Sequence, residues 1–210
     1  MTLNFRDKKL AVFPNELSEI ESTSLSMFTK YVLLRAPEYW WEVESSRRHH
    51  FPDERKKHGR VLHAKRALRV SMALCEVESI IDIDRDIVLS AALLHDICVW
   101  GEEDKPRSDK ALPEHPALAA NMIRMLYIEY GNEISYRLSL MIFYTFTGMR
   151  VKNFMPSSVT VERLALAIES HMGKWGNKEP IGKIANIVHI ADLIASREYI
   201  KVIPLGCKIK

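Results

Sequence analysis

Four polar stretches of this 210-residue chain fall where the surrounding sequence is apolar. His63 sits in HGRVLHAKRALRV, His95 and Asp96 are neighbours in LSAALLHDIC, His171 closes ERLALAIESH, and Asp192 interrupts IVHIADLIA. Burying such groups costs on the order of several kcal/mol unless something satisfies them. A single buried histidine is more often a hydrogen-bonded core residue than a ligand. A divalent cation, however, would satisfy all of these groups at once, because imidazole nitrogen and carboxylate oxygen are the donors that suit first-row metals and magnesium. Successive helix residues point about 100° apart, so His95 and Asp96 can approach one ion from neighbouring directions. Asp96 keeps a second oxygen to bridge to another.

These residues need helices to position them. Helical periodicity dominates the chain. It predicts helices over Asn15–Lys30 and Gly59–Val77, and another from an Asp84 cap through IVLSAALLHDICVW to a stop at Gly101. That last segment has almost no polar face after Ser90 and belongs in the middle of the domain. Pro116 suits the first turn of a helix over Ala117–Tyr130 ending at Gly131. Further helices are expected over Ser135–Phe146, Ser158–Ser170 and Lys183–Lys201. Leu3–Phe5 and Leu10–Phe13 have the alternation for a small N-terminal hairpin, although RDKK is a poor tight turn. The expected fold class is all-α.

Composition bounds the rest. Hydrophobic residues make up 47% and charged residues 27%, which excludes a disordered chain. The formal charge of +3 is too small for a nucleic-acid coat or a polybasic membrane binder, so any anion preference must come from local clustering. Three cysteines without CxxC spacing suggest neither a disulfide framework nor a zinc ribbon, and favour a reducing compartment. No apolar run follows a basic start, and none is long enough to span a bilayer. The expectation is a cytoplasmic protein with no membrane partner.

The order His63, His95-Asp96, Asp192, from about Gly59 to Arg197, resembles the HD-domain superfamily of metal-dependent phosphohydrolases. HGRVLHAKR, AALLHD, EHPALAANMI, SHMGKWG and HIADLIASR all stand in the expected places. The resemblance implies a helical bundle over residues 59–202, with residues 1–58 packed on it as an extension and 203–210 as a tail. It also implies metal ligands: His63, His95, Asp96 and Asp192 for one ion. His115-Pro116 and His171 match the extra histidines of members with two metals, so His115 and His171 are implied for a second ion, bridged to the first by Asp96 and a hydroxide. One or two divalent ions are expected (manganese, iron, zinc, nickel or magnesium). Asp96 and His95 are the implied catalytic pair, and metal-bound hydroxide is the implied nucleophile. The HD-GYP branch has Gly and Lys where this chain has Cys98 and Val99, and a further His at Met172. Its GYP segment is missing, which disfavours a cyclic-di-GMP phosphodiesterase.

The expected substrate is a phosphorylated small molecule, a nucleotide by resemblance. Residues 47–69 hold nine Lys/Arg and four His against two acids, either a solvated face or a funnel for phosphate leading to His63. Arg66, Lys105, Arg107 and Lys174 are the candidate phosphate-binding cations, and Trp175 the candidate base-stacking ring. Trp40 and Trp41 suggest a lid or subunit contact, in a monomer or homodimer. His58 competes with His63 for the first ligand position but points elsewhere on an ideal helix. His189 suits either packing or a hydrogen bond to a ligand carboxylate. Two other readings stay open: a phosphodiesterase or nuclease acting on oligonucleotides or cyclic dinucleotides, and a non-catalytic module that senses a nucleotide.

Overall fold

The computed structural model describes residues 9–46, 49–101, 110–142 and 154–207, with residues 137–142 described by backbone alone. It is all-α, and no strand occurs among the described residues. In chain order the helices are α1 (Pro14–Ser18), α2 (Thr23–Arg35), α3 (Glu38–Glu42), α4 (Gly59–Val77), α5 (Asp82–Leu94), α6 (His115–Ile142), α7 (Ser158–Glu169) and α8 (Gly182–Ala195), with short 3-10 turns at Pro52–Arg55 and Gly173–Trp175. Among the described residues, no helix is long and apolar enough to cross a membrane.

Helix α5 lies at the centre, because it has no face that water would tolerate. Every residue from Asp86 to Leu94 is buried, and α5 packs against α2, α4, α7 and α8. Around it, α4 packs on α8 and α6 on α7. Phe13, Trp40 and Trp41 extend the core at the N-terminal side: both indoles are buried, in an edge-to-face pair with centroids 5.0 Å apart, and Phe13 stacks on Trp40. The expectation of a tryptophan lid or subunit contact is therefore corrected, since these rings are interior packing.

Several boundaries differ from expectation, each for a local reason. The helix expected over Asn15–Lys30 is broken between α1 and α2, where Ser22 caps Leu25 N–H. Buried Asp86 reaches across from α5 and accepts from the backbone N–H groups of Glu21 (3.0 Å) and Ser22 (2.7 Å). Asp86→Ala strands both donors, and we expect it to lower unfolding free energy by about 1–3 kcal/mol in a urea melt. Helix α5 starts at Asp82, so Asp84 lies in its first turn and is not the cap. It stops at Leu94, short of Gly101: His95 Nδ1–H donates to Ala92 C=O (3.0 Å), and the chain continues in i→i−3 turns to Gly101. Gly131 does not end α6, which continues to Ile142. A Cβ at Gly131 would lie 3.0 Å from Met155, so the glycine serves close packing. Helix α8 ends at Ala195, and the chain beyond peels away, so that Val202 C=O accepts from Arg66 Nε (2.8 Å). Leu10–Phe13 is turn rather than strand, and Leu3–Phe5 lies outside the described residues, as does Phe146.

Candidate metal centre

Five helices and their ends aim six side chains at one buried place. His63 comes from the first half of α4, His95 and Asp96 from the C-terminal end of α5, His115 from the start of α6, His171 from just past α7, and Asp192 from the last turn of α8. His63, His95, His115 and His171 are each at most 2% exposed, and Asp96 is 6% exposed.

The six form two groups that share Asp96. In one, His63 Nε2 lies 3.2 Å from His95 Nε2 and 2.9 Å from Asp192 Oδ1, and His95 Nε2 lies 3.5 Å from the same oxygen. In the other, His115 Nε2 lies 3.2 Å from His171 Nε2, and the two are 3.1 and 3.6 Å from Asp96 Oδ1. Asp96 Oδ2 faces the first group, 3.8 Å from His95 Nε2. The carboxylate thus spans the two groups with one oxygen toward each.

The tautomers follow from local backbone. His95, His115 and His171 each donate Nδ1–H to the carbonyl three residues back, on Ala92, Leu112 and Ile168. Ala92 and Ile168 lie in the last turns of α5 and α7, where carbonyls lack a full set of helical partners, and Leu112 lies in the chain just before α6. The bond fixes the ring and leaves Nε2 as the atom that meets the centre, the arrangement by which proteins orient metal-binding imidazoles.

Two pairs of Nε2 atoms at 3.2 Å, both buried, need a positive charge between them. For His63, burial would lower the pKa, but hydrogen bonds to Asp192 and Glu54 raise it to about 10. His115 is also raised: burial opposes it and Asp96 outweighs burial. His171 is lowered, chiefly by burial. Asp96 and Asp192 would be raised by burial, yet the surrounding histidines, and Arg60 beside Asp96, hold both well below the usual carboxylate range. Two acids and four imidazoles with converging acceptor atoms match the donor set of divalent first-row metals, and the geometry therefore fits one or two such ions.

The other expected residues divide. His58 is exposed, and its Nδ1 donates to Trp41 C=O (2.6 Å), away from the centre. His189 Nδ1 donates to His171 C=O (2.6 Å), so it braces a backbone and does not reach a carboxylate. Trp175 is 53% exposed and lines the cavity over the centre, with the Lys174 ammonium 4.7 Å from its ring centroid. Lys105 and Arg107 lie outside the described residues. Arg66 corrects an expectation. It is 2% exposed and does not line the cavity, because its guanidinium is occupied by Asp53, Glu54 and Val202 C=O.

Sequence reasoning missed Arg60, whose Nη1 donates to Asp96 Oδ2 (2.6 Å) and whose buried Nε has no hydrogen-bond partner. It hides within a run of basic residues. The signal that distinguishes it is position: it lies three residues before His63, on the same helical face.

A family profile for the HD domain matches residues 60–197. No curated protein and no solved structure matches the chain. The converging helix ends bring together histidines and aspartates that could hold a metal ion. The chain belongs to the HD-domain family, whose members are in general metal-dependent phosphohydrolases.

Proposed function

We propose that this chain is a cytoplasmic, metal-dependent phosphohydrolase whose substrate is a nucleotide, with His63, His95, Asp96 and Asp192 as ligands of one divalent ion and Asp96, His115 and His171 of a second. The observation that supports this reading is the sharing of Asp96 between two histidine groups. When bound, such an ion pair activates water and neutralises charge on phosphoryl oxygens.

The residues around the centre have separate tasks. The cavity has a volume of about 390 Å³, in the lower part of the range for small-ligand sites, and this favours a mononucleotide over a strand. Arg60, paired with Asp96, and Arg197 line its wall and offer cationic groups to a phosphate. Met172, Trp175 and Leu193 form an apolar side suited to a base. Asp96 and His95 are the residues on which turnover depends, as they hold both groups together.

A panel of nucleoside mono-, di- and triphosphates and linear and cyclic dinucleotides, incubated with manganese-loaded protein and followed by product analysis, tests the reading. Release of phosphate from one class is expected. No turnover of any of these compounds by folded, metal-loaded protein would sink it. For the nucleotide that is turned over, Trp175→Ala should raise KM about tenfold or less with little change in kcat, since stacking on an aromatic contributes about 1 kcal/mol. A fall in kcat at constant KM would place Trp175 outside base binding.

A further inference from the structure

The matched family region begins at residue 60, yet the wall behind His63 is built from residues before it. Main-chain bonds fold the chain ahead of α4 back on itself and onto the helix: Ser45 N–H donates to Glu54 C=O (2.8 Å), His58 N–H to Glu42 C=O at the end of α3 (3.2 Å), and Arg60 N–H, in the first turn of α4, to Val43 C=O (3.3 Å). The crossing is so close that a Cβ at Gly59 would fall 1.8 Å from the Glu54 carbonyl oxygen, so only glycine fits. This crossing places the Glu54 side chain inside the protein, fully buried.

Glu54 there meets three donors. Arg66 Nη1 donates to Oε1 (2.5 Å), His50 Nδ1 donates to Oε2 (2.7 Å), and His63 Nδ1 faces the same Oε2 at 3.4 Å. The last contact is long for a hydrogen bond, but His63 Nδ1 is buried and has no other hydrogen-bond partner. His63 therefore differs from the other three histidines of the centre, whose Nδ1 atoms are held by the backbone carbonyl three residues back. Lying inside α4, His63 finds no spare carbonyl, and a carboxylate from outside the bundle takes that place.

We propose that Glu54 is a positioning residue for metal binding: held by Arg66 and His50, it accepts His63 Nδ1–H and so aims His63 Nε2 at the ion shared with His95 and Asp192. This rests on the reading of His63 as a ligand. A carboxylate behind a ligating imidazole fixes the ring and raises its basicity, and loss of such a partner weakens metal binding. It also gives Arg66 a task. Its guanidinium, bidentate to Asp53 and bonded to Glu54 and Val202 C=O, ties segment 43–58 and the chain beyond α8 to the face of α4 that bears His63.

The test compares wild type, Glu54→Gln and Asp53→Asn by zinc and manganese affinity against a chelating dye, with thermal melts alongside. Gln offers one acceptor in place of two, so its amide must turn an N–H toward either Arg66 or the two histidines. Glu54→Gln is expected to weaken the ion shared by His63, His95 and Asp192 by roughly ten- to hundredfold. Asp53→Asn removes the charge and one of the two acceptors that Asp53 offers Arg66, without touching Glu54; it should lower the melting temperature and leave metal affinity unchanged. In the zinc-loaded wild type, NMR should show a His63 Nδ1 proton protected from exchange and close to Glu54, a readout that holds even where Glu54→Gln fails to fold. Wild-type affinity in folded Glu54→Gln, or absence of that protected proton, overturns the inference alone. A wild-type chain that takes up no divalent ion removes the ligand assignment and this inference with it.

Discussion

Asp96→Ala is expected to lower hydrolysis by at least about 1,000-fold, equivalent to about 4 kcal/mol of barrier, and to leave purified protein short of both ions. No other side chain in the centre has one oxygen in each histidine group, so its loss affects both. The same carboxylate also has a structural partner. Arg60 Nη1 lies 2.6 Å from Oδ2, and both side chains are less than a tenth exposed. Removing one member of a buried pair leaves the other uncompensated, at a cost of about 3–5 kcal/mol. A dead Asp96→Ala protein could therefore be merely unfolded, and a second variant separates the two effects. Asp96→Asn combined with Arg60→Met replaces the pair by uncharged groups of similar size, which is often neutral for stability. That double variant should melt near the wild type and still lack metal and turnover. Elemental analysis and a denaturant melt on the same samples give both answers. Retention of both ions by a folded Asp96 variant would refute the bridging role.

How far the sequence foretold this centre depends on how each residue departs from its surroundings. His95 and Asp96 were legible because AALLHD leaves no polar face to absorb them, and the structure brings both onto the buried end of α5. Asp192 stood out in the same way within IVHIADLIA. Glu54 and Arg60 were not legible, for a physical reason. They lie in or beside a short irregular segment with no periodicity, and in a basic run an acid or an extra arginine looks like solvated surface. Their burial arises from a main-chain crossing at Gly59, a long-range contact that helical period does not encode. Arg66 shows the converse error: a cation assigned to substrate is consumed by the protein's own carboxylates. Among the helices, Gly131 looks like a stop in sequence, yet it lies inside α6, where a Cβ would crowd Met155. The break between α1 and α2 has no proline or glycine to mark it and depends on Asp86, more than 60 residues further along the chain.

Metal affinity should fall steeply as pH drops, by about 100-fold per His63-liganded ion between pH 8 and pH 6. The sign follows from which groups hold protons in the metal-free protein. His63, with a pKa raised to about 10 by Asp192 and Glu54 against the opposing effect of burial, is protonated throughout that window. An ion must displace that proton to reach Nε2. Each unit of pH below 10 therefore costs about a factor of ten in apparent affinity. Asp96 and Asp192 lie well below their usual range and are ionised already, so they release nothing. His171, lowered mainly by burial, has less of a proton to release. His115 is raised by Asp96 despite its burial and adds a further proton where it is charged, which makes the dependence of the second ion equal in sign. Calorimetric titration of zinc in buffers of different ionisation enthalpy counts the protons released at pH 7, and about one per His63-liganded ion is expected. Affinity independent of pH, with no proton release, would mean that His63 is not displaced by the ion at all and would remove it from the ligand set, while leaving the group around His115 and His171 untouched.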